Sequence, residues 1–265
     1  MHDDGQWQKP KIAMYCQIGK SLDMAEFSIR KAIENAGMPK EDFDIVFLCW
    51  KTSDEVYAWL KGKNYKYVDM EYDEGKGFLW NLYKGWNLGY EVGLKHTDYI
   101  CPIATDHSFY PNWLNNLYKH CAPNRIVNCK LIEPGTLPTL HAARNFGLTI
   151  DNEFQEDAFL EFAAELEEKG RDQLATDEKA YGHRFDAMPF ACAKDVWNRF
   201  GPMNKTLINN SPDPDRHFVN GVTGDTDFFN RCKSGGVEVV KSLDAISYHC
   251  GGIETQRNKA SGTYT

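Results

Sequence analysis

The chain has no apolar run long enough to cross a membrane, no Cys-x-x-Cys pair and no excess of positive charge. Each absence removes a class of function. A transmembrane helix needs about 20 consecutive apolar residues. The opening residues Met1-His2-Asp3-Asp4-Gly5-Gln6 are polar and acidic rather than signal-like, so a cytoplasmic location is expected. The 8 cysteines, at 16, 49, 101, 121, 129, 192, 232 and 250, follow no regular spacing. Several lie in or beside apolar runs, which predicts buried thiols in a reducing compartment rather than disulfides or zinc. A net charge of −8 argues against a nucleic-acid surface. An anionic ligand would need a metal or a local basic pocket to offset that field.

What is present is enough for one good core: 265 residues, 42% of them apolar. The first 110 residues alternate strand and helix signals. Ile12-Ala13-Met14-Tyr15-Cys16 reads as a buried strand, followed by a helix capped by Ser21 with Leu22, Ala25, Ile29, Ala32, Ile33 and Ala36 on one face. Asp44 to Trp50 is a second strand, and Thr52-Ser53-Asp54 caps a short helix through Leu60. A weaker strand at 65–69, a long helix from about 77 to 94 and a strand at 99–103 complete the alternation. This order predicts an α/β domain with a mostly parallel, Rossmann-like sheet flanked by helices. Such sheets bind ligands beyond the carboxyl ends of their strands. Gly85, Gly89 and Gly93 repeat every four residues in the long helix, which predicts close packing on the sheet. The stretch 151–182 reads as an acidic amphipathic helical insertion with a solvated outer face. Met188 to Ala193 returns to strand character. The 209–224 segment is a turn-rich loop, in which Asp213-Pro214-Asp215 is a turn rather than a metal motif. The tail 253–265 is polar and expected to be flexible.

Two segments suggest chemistry. Asp106, in Ala104-Thr105-Asp106, stands at the carboxyl end of a strand. Further on, Gly224-Asp225-Thr226-Asp227-Phe228-Phe229-Asn230-Arg231 opens a helix that Gly235-Gly236 ends. A strand and then His249 follow. A helix N-terminus favours an ionised carboxylate, so Asp225 is suited to accept a proton, although an N-cap aspartate on a surface helix would look the same.

Taken in order, these segments resemble the GT-A glycosyltransferases, especially family 2. The opening strand and helix look like that family's nucleotide-binding start, and Ser53-Asp54 matches the second half of its post-β2 signature. Residues from Gly77 to Asn87-Leu88-Gly89 are similar to its helix ending in Asn-x-Gly. Asp106 with Pro111-Asn112-Trp113-Leu114 resembles the last Asp of the DxD motif and its Pro-Gly-Trp-Leu sequel. Phe190 to Gly201 looks like the acceptor-side strand and helix. Asp225 to Arg231 resembles the Glu-Asp-x-Asp-Leu…Arg motif, and His249 the late metal-binding histidine. The likeness runs over most of residues 10–252, with a nucleotide-sugar half at 10–115 and an acceptor half at 116–252.

The resemblance implies an inverting, non-processive transferase that moves a sugar from a nucleotide-diphosphate sugar to an acceptor hydroxyl, glycan or other. It makes Asp225 the general base, and Asp106 and His249 ligands of a divalent metal, Mn2+ or else Mg2+. Gln17, Trp50, Asp54, Lys76, Gly77 and Asp106 would face the donor, and Asp227, Trp113 and His217 the acceptor. By residue type alone Trp50 is either a core tryptophan or a stacking surface, and Lys76 either a phosphate contact or a solvated lysine. Asp227 either supports Asp225 or binds acceptor. The sequence departs from the family at four places: Ala104 stands for the first DxD aspartate, Cys49 for a base-contacting Asp, Trp86 for an Arg, and Gly224 for a Glu. A QxxRW motif is absent, which counts against a processive synthase. Two other readings stay open: a binding-only relative, suggested by Ala104, and a sugar nucleotidyltransferase. The latter should carry a glycine-rich, arginine-containing phosphate loop where this chain has Cys16-Gln17-Ile18-Gly19-Lys20-Ser21. Donor sugar, base, acceptor and oligomeric state are not encoded in any motif found.

Overall fold

The computed structural model describes residues 10–19, 22–133, 144–147, 154–176, 188–205 and 224–250. Ser21, His217, the 209–223 loop and the tail lie outside them. The first half is built as expected: β1 (Ile12–Ile18), α1 (Asp23–Glu34), β2 (Phe43–Cys49), α2 (Asp54–Gly62), β3 (Lys66–Asp69), α3 (Phe78–Gly93) and β4 (Tyr99–Ile103). Ser53 caps α2, its side chain accepting from the Val56 amide at 3.4 Å. The second half adds β5 (His107–Phe109), α4 (Trp113–Tyr118), β6 (Arg125–Ile132), α5 (Glu156–Gly170), β7 (Leu174–Ala175), β8 (Phe190–Ala193), α6 (Lys194–Phe200), α7 (Gly224–Ser234) and β9 (Glu238–His249).

The nine strands of the described residues join one sheet in the order β3-β2-β1-β4-β8-β6-β9-β5, with β7 pairing off this path to β9. The long ladders, β1 with β2 and β6 with β9, are parallel; the antiparallel ones, involving β5, β7 and β8, are short. Direction can be followed across the sheet. β4 is antiparallel to β8, β8 is antiparallel to β6, and β6 is parallel to β9. β1, β2, β3, β4, β6 and β9 therefore all point their carboxyl ends to the same edge, the edge where α/β sheets receive ligands.

The glycine stripe of α3 has the predicted role. A Cβ on Gly85 would lie 2.3 Å from the Gln17 amide oxygen, one on Gly89 2.5 Å from the Tyr15 ring, and one on Gly93 2.2 Å from Ile100 Cδ1. Only glycine lets this helix lie so close to β1 and β4. Within the stretch 151–182 the helix α5 is shorter than expected, giving way to β7 at Leu174–Ala175, while 151–153 and 177–182 lie outside the described residues. α5 buries Phe159, Ala163 and Leu166 and turns Asp157, Glu161, Glu165 and Glu168 to solvent. Its apolar face forms a separate core with Ile132, Phe146, Ile246 and Tyr248, so the insertion buttresses β6 and β9. All eight cysteines are free, and seven are buried.

Candidate functional site

Asp106 lies in the tight turn between β4 and β5, and two contacts hold that turn. Its carbonyl accepts from the Cys250 amide at 2.8 Å, past the end of β9. The buried Ser28 hydroxyl on α1 accepts from the His107 amide at 3.0 Å and also reaches the His107 carbonyl. β5 and β9 pair His107 directly with His249, so both side chains share one face and their rings stack, centroids 4.7 Å apart and 14° from parallel. His249 Nε2 lies 3.1 Å from Asp106 Oδ2, and its Nδ1 lies 2.6 Å from Glu133 Oε1. His107 Nδ1 lies 3.1 Å from Asp106 Oδ1. Three carboxyl ends, those of β4, β6 and β9, thus converge as Asp106, Glu133 and His249.

The charges follow from this geometry. Burial works against the Asp106 carboxylate, but the adjacent His249 charge and the bonds from both histidines hold it well below the usual carboxylate range. Burial also opposes charge on His249, and the Asp106 and Glu133 carboxylates overrule it, raising the imidazole to about 10. His107 goes the other way: burial lowers it despite the bond to Asp106. One stacked ring is therefore an imidazolium and the other neutral at pH 7.

This donor set suits a divalent cation. The ligand atoms of Asp106, His107 and His249 lie within 4.8 Å of one another. Neighbouring ligands roughly 2.1 Å from an octahedral ion sit about 3 Å apart, and the Asp106–His249 pair is spaced so. His107 Nε2 is buried with no hydrogen-bond partner among the described residues, as a nitrogen awaiting an ion would be. The Glu133 contact at Nδ1 leaves Nε2 of His249 to face Asp106, the arrangement that orients a metal-binding histidine.

Asp225 sits in the first turn of α7, where Oδ1 accepts from the Tyr83 hydroxyl at 3.0 Å and from the Thr226 amide at 2.9 Å. Asp227 pairs with Arg231 at 2.9 Å, and Arg231 reaches the carbonyls of Phe200 and Pro202. These contacts tie Asp227 to the helix that carries Asp225.

The remaining sequence-predicted residues scatter. Trp113 is a correction: it is 0% exposed, its indole N–H donates to the Ala32 carbonyl, and it has no surface for an acceptor. Gln17 is held by α3, donating to the Leu82 carbonyl at 2.8 Å and packing against Gly85. Its amide oxygen is buried with no hydrogen-bond partner among the described residues. Trp50 follows β2 and stacks on Tyr72 (5.4 Å, 6°) with Phe78 tilted against it, so the exposed ring of this corner is Phe78, at 45%. Lys76 and Gly77 belong to a loop that the buried Asn81 side chain stitches to α3, exchanging bonds with Asp73 at 2.9 and 3.0 Å. Asp54 opens α2 at the surface, and Asp106, Asp225 and His249 stand as described.

The site contains three residues that motif reading misses: His107, Glu133 and Tyr83. His107 adjoins Asp106 in sequence, and Glu133 ends an apolar run much as Asp106 follows one. Tyr83 carries no local signal at all.

Neither a family model nor a curated protein matches the sequence. Solved structures do match. The mannosyltransferase PcManGT of Pyrobaculum calidifontis, in complex with GDP-Man and Mn2+, is 12% identical with a TM-score of 0.56, covering 96% of this chain and 61% of its own. TarS of S. aureus (residues 1–349) is 9% identical with a TM-score of 0.55 over 90% of this chain and 60% of its own. GalNAc-T7 with UDP, GalNAc and Mn2+ is 11% identical with a TM-score of 0.56 over 91% and 44%. The chain thus spans about 60% or less of the length of these neighbours. At such identities the likeness establishes architecture: this protein has the fold of the GT-A glycosyltransferases.

Proposed function

We propose that the protein is a metal-assisted, inverting glycosyltransferase that uses a nucleotide-diphosphate sugar. The observation that carries the reading is the Asp106–His249 pair, 3.1 Å apart at the carboxyl edge of a GT-A sheet. Asp106 and His249, with His107 in reach, would hold a divalent ion, Mn2+ in two of the structural neighbours. Bound there, the ion would supply neutralisation of the departing diphosphate. This chain's own residues do the rest. Glu133 and the stacked His107 fix the His249 ring, and Ser28 fixes the turn that presents Asp106. Asp225 accepts the acceptor's hydroxyl proton as that oxygen bonds to the anomeric carbon and the bond to the diphosphate breaks with its electron pair. General-base catalysis of this kind is typically worth ~10²–10⁴-fold, and attack on the face opposite the leaving group would invert the anomeric centre.

Thermal unfolding with UDP, GDP, CDP or dTDP, each with and without Mn2+ or Mg2+, tests the donor site in wild type and Asp106→Ala. A ligand at a hundred times its dissociation constant adds ~2.7 kcal/mol, or roughly 5–10 °C in Tm for a chain of this size. A metal-dependent shift with one nucleotide, lost in Asp106→Ala, is the expected result. No shift with any nucleotide would sink the reading.

A further inference from the structure

At position 224 the sequence departs from the pattern it otherwise resembles, with glycine where that pattern has an acid. The structure gives this glycine a physical reason. A Cβ there would lie 2.4 Å from the Asn204 carbonyl oxygen and 3.1 Å from the Tyr83 ring. The start of α7 is therefore pressed against the 201–205 segment on one side and against α3 on the other, with no room for a side chain. Tyr83 itself is 3% exposed, edge-on to Trp86 at 5.4 Å, so its ring cannot swing freely. The partner segment is held too: Asn87, one turn further along α3, bonds the Met203 carbonyl at 2.9 Å and the Met203 amide at 2.8 Å. At the end of this rigid arrangement the Tyr83 hydroxyl donates to Asp225 Oδ1 at 3.0 Å. Oδ2 makes no hydrogen bond among the described residues.

From this we infer that Tyr83 is the positioning residue for the proposed base, and that Gly224 is glycine so that α7 can approach it. The inference rests on the reading of Asp225 above and deepens it. Tyr83 keeps its proton throughout. Together with the Thr226 amide it saturates Oδ1 and sets the plane of the carboxylate, so that Oδ2 is the oxygen turned to the acceptor hydroxyl and the one that receives its proton. Misplacing a reacting group by about 1 Å can cost on the order of 10²-fold, so a single locating bond is enough to matter.

Tyr83→Phe keeps the packed ring and removes only the hydroxyl. The assay is release of nucleoside diphosphate from GDP-mannose and from UDP-N-acetylgalactosamine with Mn2+, together with crystal structures of wild type and variant. The expected result is a fall in kcat of about tenfold or more, with the donor KM and the nucleotide-induced rise in Tm unchanged and the Tm itself lowered only as far as one lost hydrogen bond requires. In the crystal the Asp225 carboxylate turns away from its wild-type plane. Unchanged kcat, or an Asp225 that stays in place without the hydroxyl, overturns the inference. A donor KM that moves with kcat also overturns it, since that marks a packing role. Asp225→Asn run alongside separates the two levels. If it retains transfer, the base assignment fails and Tyr83's role fails with it. If it is inactive while Tyr83→Phe is normal, only the present inference falls.

Discussion

His249 sits between two carboxylates, 3.1 Å from one and 2.6 Å from the other, and its pH behaviour follows from that. In the metal-free protein its proton is held up to about pH 10, against about 6.5 for a free histidine. The stability it contributes is complete below about pH 6.5, declines as pH rises, and is gone above about pH 10. Asp106, shifted downwards, contributes above the ordinary aspartate range and loses that contribution in acid. A Tm-versus-pH series should slope downward above neutrality, and His249→Asn should flatten it; equal slopes would mean the imidazole is not held by these acids. A metal ligand must give up its proton, so Mn2+ binding at neutral pH should release one. Calorimetry in buffers of different ionisation enthalpy reads that directly. Asp225 makes a different demand. Asp225→Asn should abolish transfer and leave nucleotide binding intact, and loss of both would mark it as a structural cap.

At the scale of the element, α3 carries Tyr83, which bonds Asp225, and α5 packs beneath β9, which ends in His249. Gly89→Ala sets a methyl group 2.5 Å from the Tyr15 ring, which is itself packed edge-on against Tyr90. Overpacking of this kind costs about 1–3 kcal/mol, and urea denaturation should show it; an unchanged midpoint would mean the helix can lift without loss. In α5, Phe159 is fully buried among Phe146, Phe154 and Tyr248, and Tyr248 precedes His249 in β9. Phe159→Ala should cost ~3–5 kcal/mol and weaken Mn2+ binding as well, because the cavity opens beneath the strand that presents the histidine. Metal affinity that stays at the wild-type value in a folded Phe159→Ala protein would separate α5 from the site.

Across the whole molecule, legibility falls off where local pattern stops. The βα units up to Ile103 are readable because each buries a continuous apolar strand or a one-sided helix, and the glycine stripe reads correctly for the same reason. β6 is harder. It carries Asn128 and Lys130 among its apolar residues, both buried in the fold, so its period is blurred and Glu133 beyond it draws no notice. β5 and β7 are too short to give any signal. Asp106, Asp225 and His249 are visible as carboxylates and a histidine at element ends, and the structure joins the first to the third. Trp113 misleads because a tryptophan beside a metal motif reads as a ligand contact when α4 needs it as core. Tyr83 meets Asp225 across 142 positions of sequence, a pairing that only the assembled fold creates.

β9 has a further consequence, and it is kinetic. It pairs with β5, β6 and β7, and it ends in the histidine that completes the cluster with Asp106 and Glu133. β1 to β4 and their helices need none of these contacts; β1 with β2 and β2 with β3 are neighbours in sequence, and even β1 with β4 (Ala13 to Ile100) spans less chain than β6 with β9 (Arg125 to Glu238) or β5 with β9 (His107 to His249). Ladders between distant segments close slowly, because the loop entropy is lost before the pairing returns anything. Mn2+ binding should therefore appear only in the final phase of refolding, after most far-ultraviolet ellipticity has returned. The ion would then act as a timer as well as a ligand, since it can be captured only by a chain whose two halves have already met.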